Sequence, residues 1–342
     1  MFKIENLKGV VDSHFHIGVG NPPFDGFIRR GLNLKSLTSL SLKTGVVFLP
    51  KMHFGSLIEP VAKKGKVLIF PSLTLNSKTN GFNPELIKKS AEKVSPVRLA
   101  VFFPTIEAET HLLNIDKPWF SLFKPKKNAP QWQKEKFVAY YQIWKRKGGI
   151  KVLDKKGNLL PEVKKTIKII KETGSFLHTG HLGGEEVKKV VEEAIEQKLE
   201  LVITHANART SKIKLKTLLD LIKSAKKRGV KIWIELCAAI WICGLKGAYS
   251  IKKSFVDWIR ALGAENCILS SDANGLEPNR KNKQTNAFDI PKEVSLKTPL
   301  DWLEYFVNLL IKEGIKEEEI KEMLIYNPQK LLKIKIDEEN KS

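Results

Sequence analysis

Short apolar, β-branched runs alternate along this chain with longer segments whose apolar residues recur every third or fourth position. The runs that predict strands are "GVVDSH" (9–14), "GVVFLPK" (45–51), "KVLIFPSLTL" (66–75) and "RLAVFFPT" (98–105). Four more follow: "GSFLHTGH" (174–181), "LELVITHA" (199–206), "VKIWIELC" (230–237) and "CILSSDAN" (267–274). Helix patterns lie between them, including "NPELIKKSAEKV", with Asn83 as cap and Pro84 in the first turn, and "LPEVKKTIKIIKETG", closing on Gly174. Others are "GGEEVKKVVEEAIEQK", "KLKTLLDLIKSAKKRG", "SFVDWIRALGAEN" and the late "LDWLEYFVNLLIKEG". Continuously apolar strands alternating with helices imply parallel strands buried on both faces. Eight such units predict an α/β fold of the (β/α)8 TIM-barrel type.

Three segments interrupt the alternation. Residues 106–148 form a long excursion after strand 4, Pro-rich at 118–130 and holding the helix-like "QWQKEKFVAYYQIWKRK". "GGIKVLDKKGNLL" then predicts a hairpin turning at Lys156-Gly157-Asn158. Residues 275–297 form a long polar loop after strand 8. All three follow strand ends on the face where barrels carry their active sites, so the expectation is one barrel domain over 1–334, with insertions at 106–160 and 275–297 across its mouth. Residues 335–342 are a polar tail, expected to be disordered.

Composition narrows the class. Hydrophobic residues make up 42% and charged residues 28%, as in a globular domain. Residues 1–11 lack the apolar segment of a secretory signal, and the most apolar run, "IWIELCAAIWIC" (232–243), is too short for a membrane span and is broken by Glu235. Cys237, Cys243 and Cys267 show no CxxC spacing, which argues against disulfide scaffolding and zinc-finger chemistry and places the chain in a reducing cytoplasm. The net charge of +22 raises nucleic acid as a partner. However, only eight of the 59 cations are Arg, and the lysines spread over almost every helix. Readers of nucleic acid concentrate Arg where bidentate contacts are made. Lys- and Glu-rich helices also fit a heat-adapted proteome, so the composition argues against a nucleic-acid role.

The candidate chemistry lies in the histidines. The seven are His14, His16, His53, His111, His178, His181 and His205, and none sits in a helix pattern. Six fall at or just past the carboxyl end of a predicted strand, and His111 lies in the excursion after strand 4. Barrel strand ends converge on one mouth, so this distribution predicts a shared site. In "GVVDSHFHIG", Asp12, His14 and His16 share a strand face. Imidazole and carboxylate suit Zn²⁺, Mn²⁺ or Fe²⁺, and a catalytic site leaves one position open for water. His14 and His16 can ligate one ion, His205 in "VITHAN" can add a nitrogen, and Asp272 in "ILSSDANG" can ligate or take a proton from the bound water. The ion lowers that water's pKa from about 16 toward about 7, making hydroxide available at neutral pH. Strand 5 offers His178 and His181, three apart and therefore facing opposite ways along a continuing strand, so spacing leaves the choice between them open. Strand 2 ends "LPKMH", with Lys51 and His53 on one face. Lys51 can pair with a substrate anion, or react with CO₂ to a carbamate that ligates and bridges two metals.

These residues resemble the amidohydrolase superfamily, metal-dependent hydrolases on a (β/α)8 barrel. The likeness lies in Asp-x-His-x-His after strand 1, His after strands 5 and 6, Asp after strand 8 and the closing "YNPQKLLKI". The resemblance is closer still to an uncharacterised amidohydrolase-related family of unknown function, through "LPKMH", "GFNPELI", "FPTIEAETH", "GIKVLDKKGNLLPEV" and "TGHLGGEEV". It extends over about residues 9 to 334. It implies His14 and His16 as metal ligands, His181 rather than His178 on strand 5, His205 on strand 6 and Asp272 as the strand-8 acid. Lys51, His53 and His111 match family positions without established roles. Lys51 and His53 stand as candidate catalytic groups, and His111 and Arg209 as candidate substrate contacts. The better-known dinuclear members take a carboxylated lysine from strand 4, but here strand 4 ends "FFPT" and Lys151 belongs to the hairpin. One ion and two ions therefore both stay open.

The function so implied is a metal-dependent hydrolase in which hydroxide on the metal attacks an amide, lactone or ester carbonyl of a small molecule. Arg29, Arg30, Arg209 and Arg280 could draw in an anionic substrate, although ordinary surface charge explains them as well. A metal-dependent decarboxylase is the nearest alternative. A TatD-like deoxyribonuclease or phosphoesterase would suit the charge, yet its Gly-Glu-x-Gly-Leu-Asp context is missing. A nucleic-acid-binding barrel without catalysis and a structural zinc protein are the non-enzyme alternatives. Substrate identity and oligomeric state, a homo-oligomer included, are not encoded in any motif.

Overall fold

The computed structural model describes residues 2–4, 7–16, 34–51, 57–114, 127, 131–146, 148–208, 211–242, 252–273 and 298–334. The long loop after strand 8, the polar tail, His53 and Arg209 lie outside these residues.

Eight parallel strands form a ring. They are β1 (Val11–His16), β2 (Val47–Lys51), β3 (Lys66–Ile69, resuming as Ser72–Thr74), β4 (Ala100–Phe102), β5 (Phe176–His178), β6 (Leu201–Ile203), β7 (Ile232–Cys237) and β8 (Cys267–Ser270). β1 pairs with β2 from Val11↔Val47 to His16↔Lys51. β2 pairs with the first half of β3, whose second half pairs with β4. The interruption falls at Phe70-Pro71, where proline offers no N–H to a ladder. From β4 to β8 each strand pairs in parallel with the next. The ring closes between the last residues of β1 and the chain just past β8: Asp272 N donates to His14 O at 2.7 Å, and His16 N donates to Ala273 O at 3.0 Å. An eight-stranded parallel barrel is therefore observed directly; β1 is shifted two residues beyond its predicted run, and the other strands are shorter than theirs.

Inside the ring, Val11, Val47, Leu49, Ala100, Phe102, Phe176, Val202, Trp233 and Ile268 form one buried cluster, closed below by Leu331 and Leu332. The outward strand faces join the helices in a second, larger cluster. The inner face changes character toward the carboxyl ends: Val47 and Leu49 lead to Lys51, Phe176 to His178, Trp233 to Glu235, and Ile268 to Ser270 and Asp272. Period-two alternation thus carries one stripe per strand from apolar floor to polar rim.

The helices fall where the apolar pattern predicts them: Pro84–Val94, Pro161–Glu172, Gly184–Glu196, Leu215–Lys227 and Pro299–Lys312. Asn83 caps the first of these through Leu86 N. The excursion contains the expected helix, Gln131–Arg146, and the hairpin turns as expected, with Leu153 opposite Leu159. One expectation fails: His111 lies in a helix, Glu109–Asn114, too short to show a period. No helix among the described residues is long and apolar enough to cross a membrane.

Candidate metal centre

Period-two alternation puts His14 and His16 on one face of β1, and a register shift between Asp12 and Phe15 turns that face to the side of Val11, leaving Phe15 in the outer cluster. His14 and His16 are both buried, with ring centroids 5.4 Å apart. Opposite them, Asp272 follows β8 and His205 follows β6, each with a left-handed backbone (φ +41° and +29°). Side chains other than glycine avoid that region, so both conformations are held by their surroundings. Asp272 is held by its N–H on His14 O, and His205 by its N–H on Glu235 Oε2 at 3.0 Å.

The outcome is a focused cluster. His16 Nε2 lies 2.9 Å from Asp272 Oδ1, His14 Nε2 lies 3.4 Å from the same oxygen, and His205 Nε2 lies 3.9 Å from Oδ2. One ligand atom each from His14, His205 and Asp272 falls within 4.8 Å of the others, all three residues being buried. Neutral imidazole is the ligating form, and burial enforces it. His14 is pulled down to about 3 by burial and the Lys51 charge, against Asp272. His205 falls to about 3 by burial, again opposed by Asp272, and His16 is pushed well below its ordinary value by burial and Lys51. Two neutral nitrogens and a carboxylate oxygen are a donor set for Zn²⁺, Mn²⁺ or Fe²⁺. His14 Nε2 has no hydrogen-bond partner, as expected of a ring nitrogen kept for an ion.

The remaining sequence candidates divide around this point. His178 is fully buried, stacks on Phe102 at 4.1 Å between centroids and leaves both ring nitrogens without a hydrogen bond. His181 leaves the strand after Gly180, and its ring neighbours His205 at 4.8 Å and His111 at 4.5 Å. The Lys51 amine is fully buried without a hydrogen-bond partner, 5.2 Å over the Phe102 ring. Burial lowers its pKa, partly opposed by Asp272 and Glu235. Phe102 thus occupies the strand-4 end that the sequence leaves without a lysine. Asp12 points away from the ligand atoms, accepting from Ser271 N and Oγ, and burial raises its carboxyl to about 7.

Glu235 is the residue the sequence reading missed. Its carboxylate is fully buried and accepts from His14 Nδ1 at 2.9 Å and from Ser270 Oγ at 2.9 Å. The available signal was an acid in the middle of the most apolar run of the chain, on the same strand face as Trp233 and Cys237.

A family described as being of unknown function, DUF6282, matches residues 9–231. No curated protein matches the chain. Among solved structures, it is similar to a point mutant of the organophosphorus hydrolase from Deinococcus radiodurans, at 15% identity over 96% of this chain and 94% of that one, with a TM-score of 0.43. It is also similar to a multiply substituted PTE-like lactonase from Deinococcus radiodurans (15% identity, 97% and 98% covered, TM-score 0.46). A third is a Pseudomonas putida structural-genomics target assigned as a 2-pyrone-4,6-dicarboxylic acid hydrolase (14%, 95% and 97%, TM-score 0.41).

Proposed function

We propose that this chain, which belongs to the DUF6282 family of unknown function, is a metal-dependent hydrolase acting on an amide, lactone or ester carbonyl of a small molecule. The observation that carries this is the convergence of His14, His205 and Asp272 from three strands, with ligand atoms within 4.8 Å. A divalent ion, Zn²⁺ foremost and Mn²⁺ or Fe²⁺ next, would supply Lewis acidity and a water acidified into the neutral range.

His14, His16 and His205 hold the ion, and Asp272 can ligate it as well. His181 serves from the chain after β5, because its ring lies beside His205 whereas His178 is stacked on Phe102. Asp272 faces all three of these imidazoles. It is placed to accept the proton of the attacking water and return it to the leaving group. His111, beside His181, and Arg209 are the candidate substrate contacts, and Lys51 and His53 the further catalytic candidates. Lys51 decides the number of ions: as a carbamate it would ligate a second one, and as an ammonium it would hold a substrate anion. A lower metal stoichiometry in Lys51→Ala supports the carbamate.

The test is a panel of lactones, esters, cyclic amides and phosphoesters offered to metal-loaded protein. Against any substrate found, Asp272→Asn is expected to cost about 10²–10⁴-fold in turnover, and His14→Ala to abolish it, with the fold intact by circular dichroism. Unchanged turnover in either variant contradicts the proposal.

A further inference from the structure

Two candidate ligands are held by a single side chain. Glu235, at the centre of β7, is fully buried, and a buried carboxylate is costly unless several donors meet it. Here there are three, from three other parts of the barrel. His14 Nδ1 on β1 lies 2.9 Å from Oε1 and 3.1 Å from Oε2. Ser270 Oγ on β8 donates to Oε1 at 2.9 Å. The backbone N–H of His205, past β6, donates to Oε2 at 3.0 Å.

The consequence for His14 is chemical. A neutral imidazole carries one N–H, and an acceptor at Nδ1 fixes the proton there. The lone pair is then at Nε2, the nitrogen that lacks a hydrogen-bond partner and lies 3.4 Å from Asp272 Oδ1. The consequence for His205 is conformational. Its backbone stands at φ +29°, outside the regions its side chain prefers, and the bond to Glu235 ties it there. From these contacts we infer that Glu235 is a positioning residue that sets the tautomer of His14 and the backbone of His205, so that both rings present a lone pair to the same cation. The inference rests on the metal-centre assignment above and adds the group that prepares its ligands.

Glu235→Gln tests it. The amide keeps the shape but has one acceptor oxygen, so its NH₂ must face either the His205 N–H or His14 Nδ1. The second orientation drives the proton of His14 to Nε2 and removes the ligating lone pair. Zn²⁺ affinity, measured by competition with a chromophoric chelator, is expected to fall about 10–100-fold. Long-range ¹H–¹⁵N spectra of metal-free, histidine-labelled protein should show His14 in the Nδ1–H form in the wild type and a gain of the Nε2–H form in the variant. Packing alone would not move that signature. If Glu235→Gln yields no folded protein, Glu235→Asp, which draws the carboxylate back by one methylene, should show the same weakening to a smaller extent. Wild-type affinity in a folded variant, or an Nε2–H His14 in the wild type, overturns the inference. A wild type that takes up no Zn²⁺ fails the metal assignment instead, and the tautomer measured without metal still decides the role of Glu235.

Discussion

At the scale of single residues, burial keeps the histidines of the site neutral. His14, His111, His178 and His205 are each lowered to about 3, with burial the leading cause in every case. The sign of the linkage follows. A histidine whose folded pKa lies below its unfolded value of about 6.5 binds fewer protons in the fold, so stability present above pH 6.5 is lost as pH falls toward 3. At pH 5 each such ring costs on the order of 2 kcal/mol. Metal-free protein should therefore lose stability steeply between pH 7 and pH 5 in urea melts. His178→Phe, which keeps the stack on Phe102 but removes one titrating ring, should flatten that loss while leaving metal affinity near wild type. An unaltered pH slope would contradict the burial argument. Lys51 gives the complementary case. Its amine is buried without a hydrogen bond, so Lys51→Met should leave metal-free stability unchanged or raise it, measured by thermal unfolding, while lowering turnover.

At the scale of elements, the strands were legible because each buries both faces and reads as one apolar run. The site was legible because its histidines sit where those runs stop. Three features were hidden. Glu235 lies inside a run whose hydrophobicity dominates, although its stripe position on β7, within hydrogen-bond reach of Ser270 on β8, is what brings it to His14. His111 sits in a six-residue helix, too short for a periodic signal. The choice between His178 and His181 depends on a turn that spacing does not encode. That turn is tight: Gly180 has φ +64°, and a Cβ there would lie 2.4 Å from Phe103 O and 2.5 Å from Pro104 O. Both contacts are backbone atoms of the adjoining β4 end, which cannot step aside cheaply. Gly180→Ala is thus expected to cost about 1–3 kcal/mol in chemical unfolding and, by displacing His181, to weaken metal binding. A variant as stable as wild type would show that the corner relaxes freely.

At the scale of the molecule, the ring does two jobs with one alternation: its inner face is apolar below and polar at the rim. The ends of β1, β6 and β8 each bring a candidate ligand to one point of the rim, and β7 places the acid that contacts two of them. A bound ion consequently braces the ring at its closure, where β8 meets β1 through the His14 and Asp272 backbones. Free metal at 100 times its dissociation constant adds about 2.7 kcal/mol to the folded state, so a chelator should lower the unfolding temperature by several degrees. The surplus cations have a different character. Pairs such as Lys93–Glu59 and Arg228–Glu196 are exposed on both sides and contribute little to stability.

The central claim is that these strand ends form a metal centre, and the most direct measurement is the divalent-metal content of the purified chain after exposure to Zn²⁺, Mn²⁺ or Fe²⁺ and removal of the excess. At least one equivalent per wild-type chain is predicted, lost in a folded His14→Ala, Asp272→Asn double variant. A folded wild type that retains none of the three ions, or a double variant that retains as much as the wild type, would contradict it.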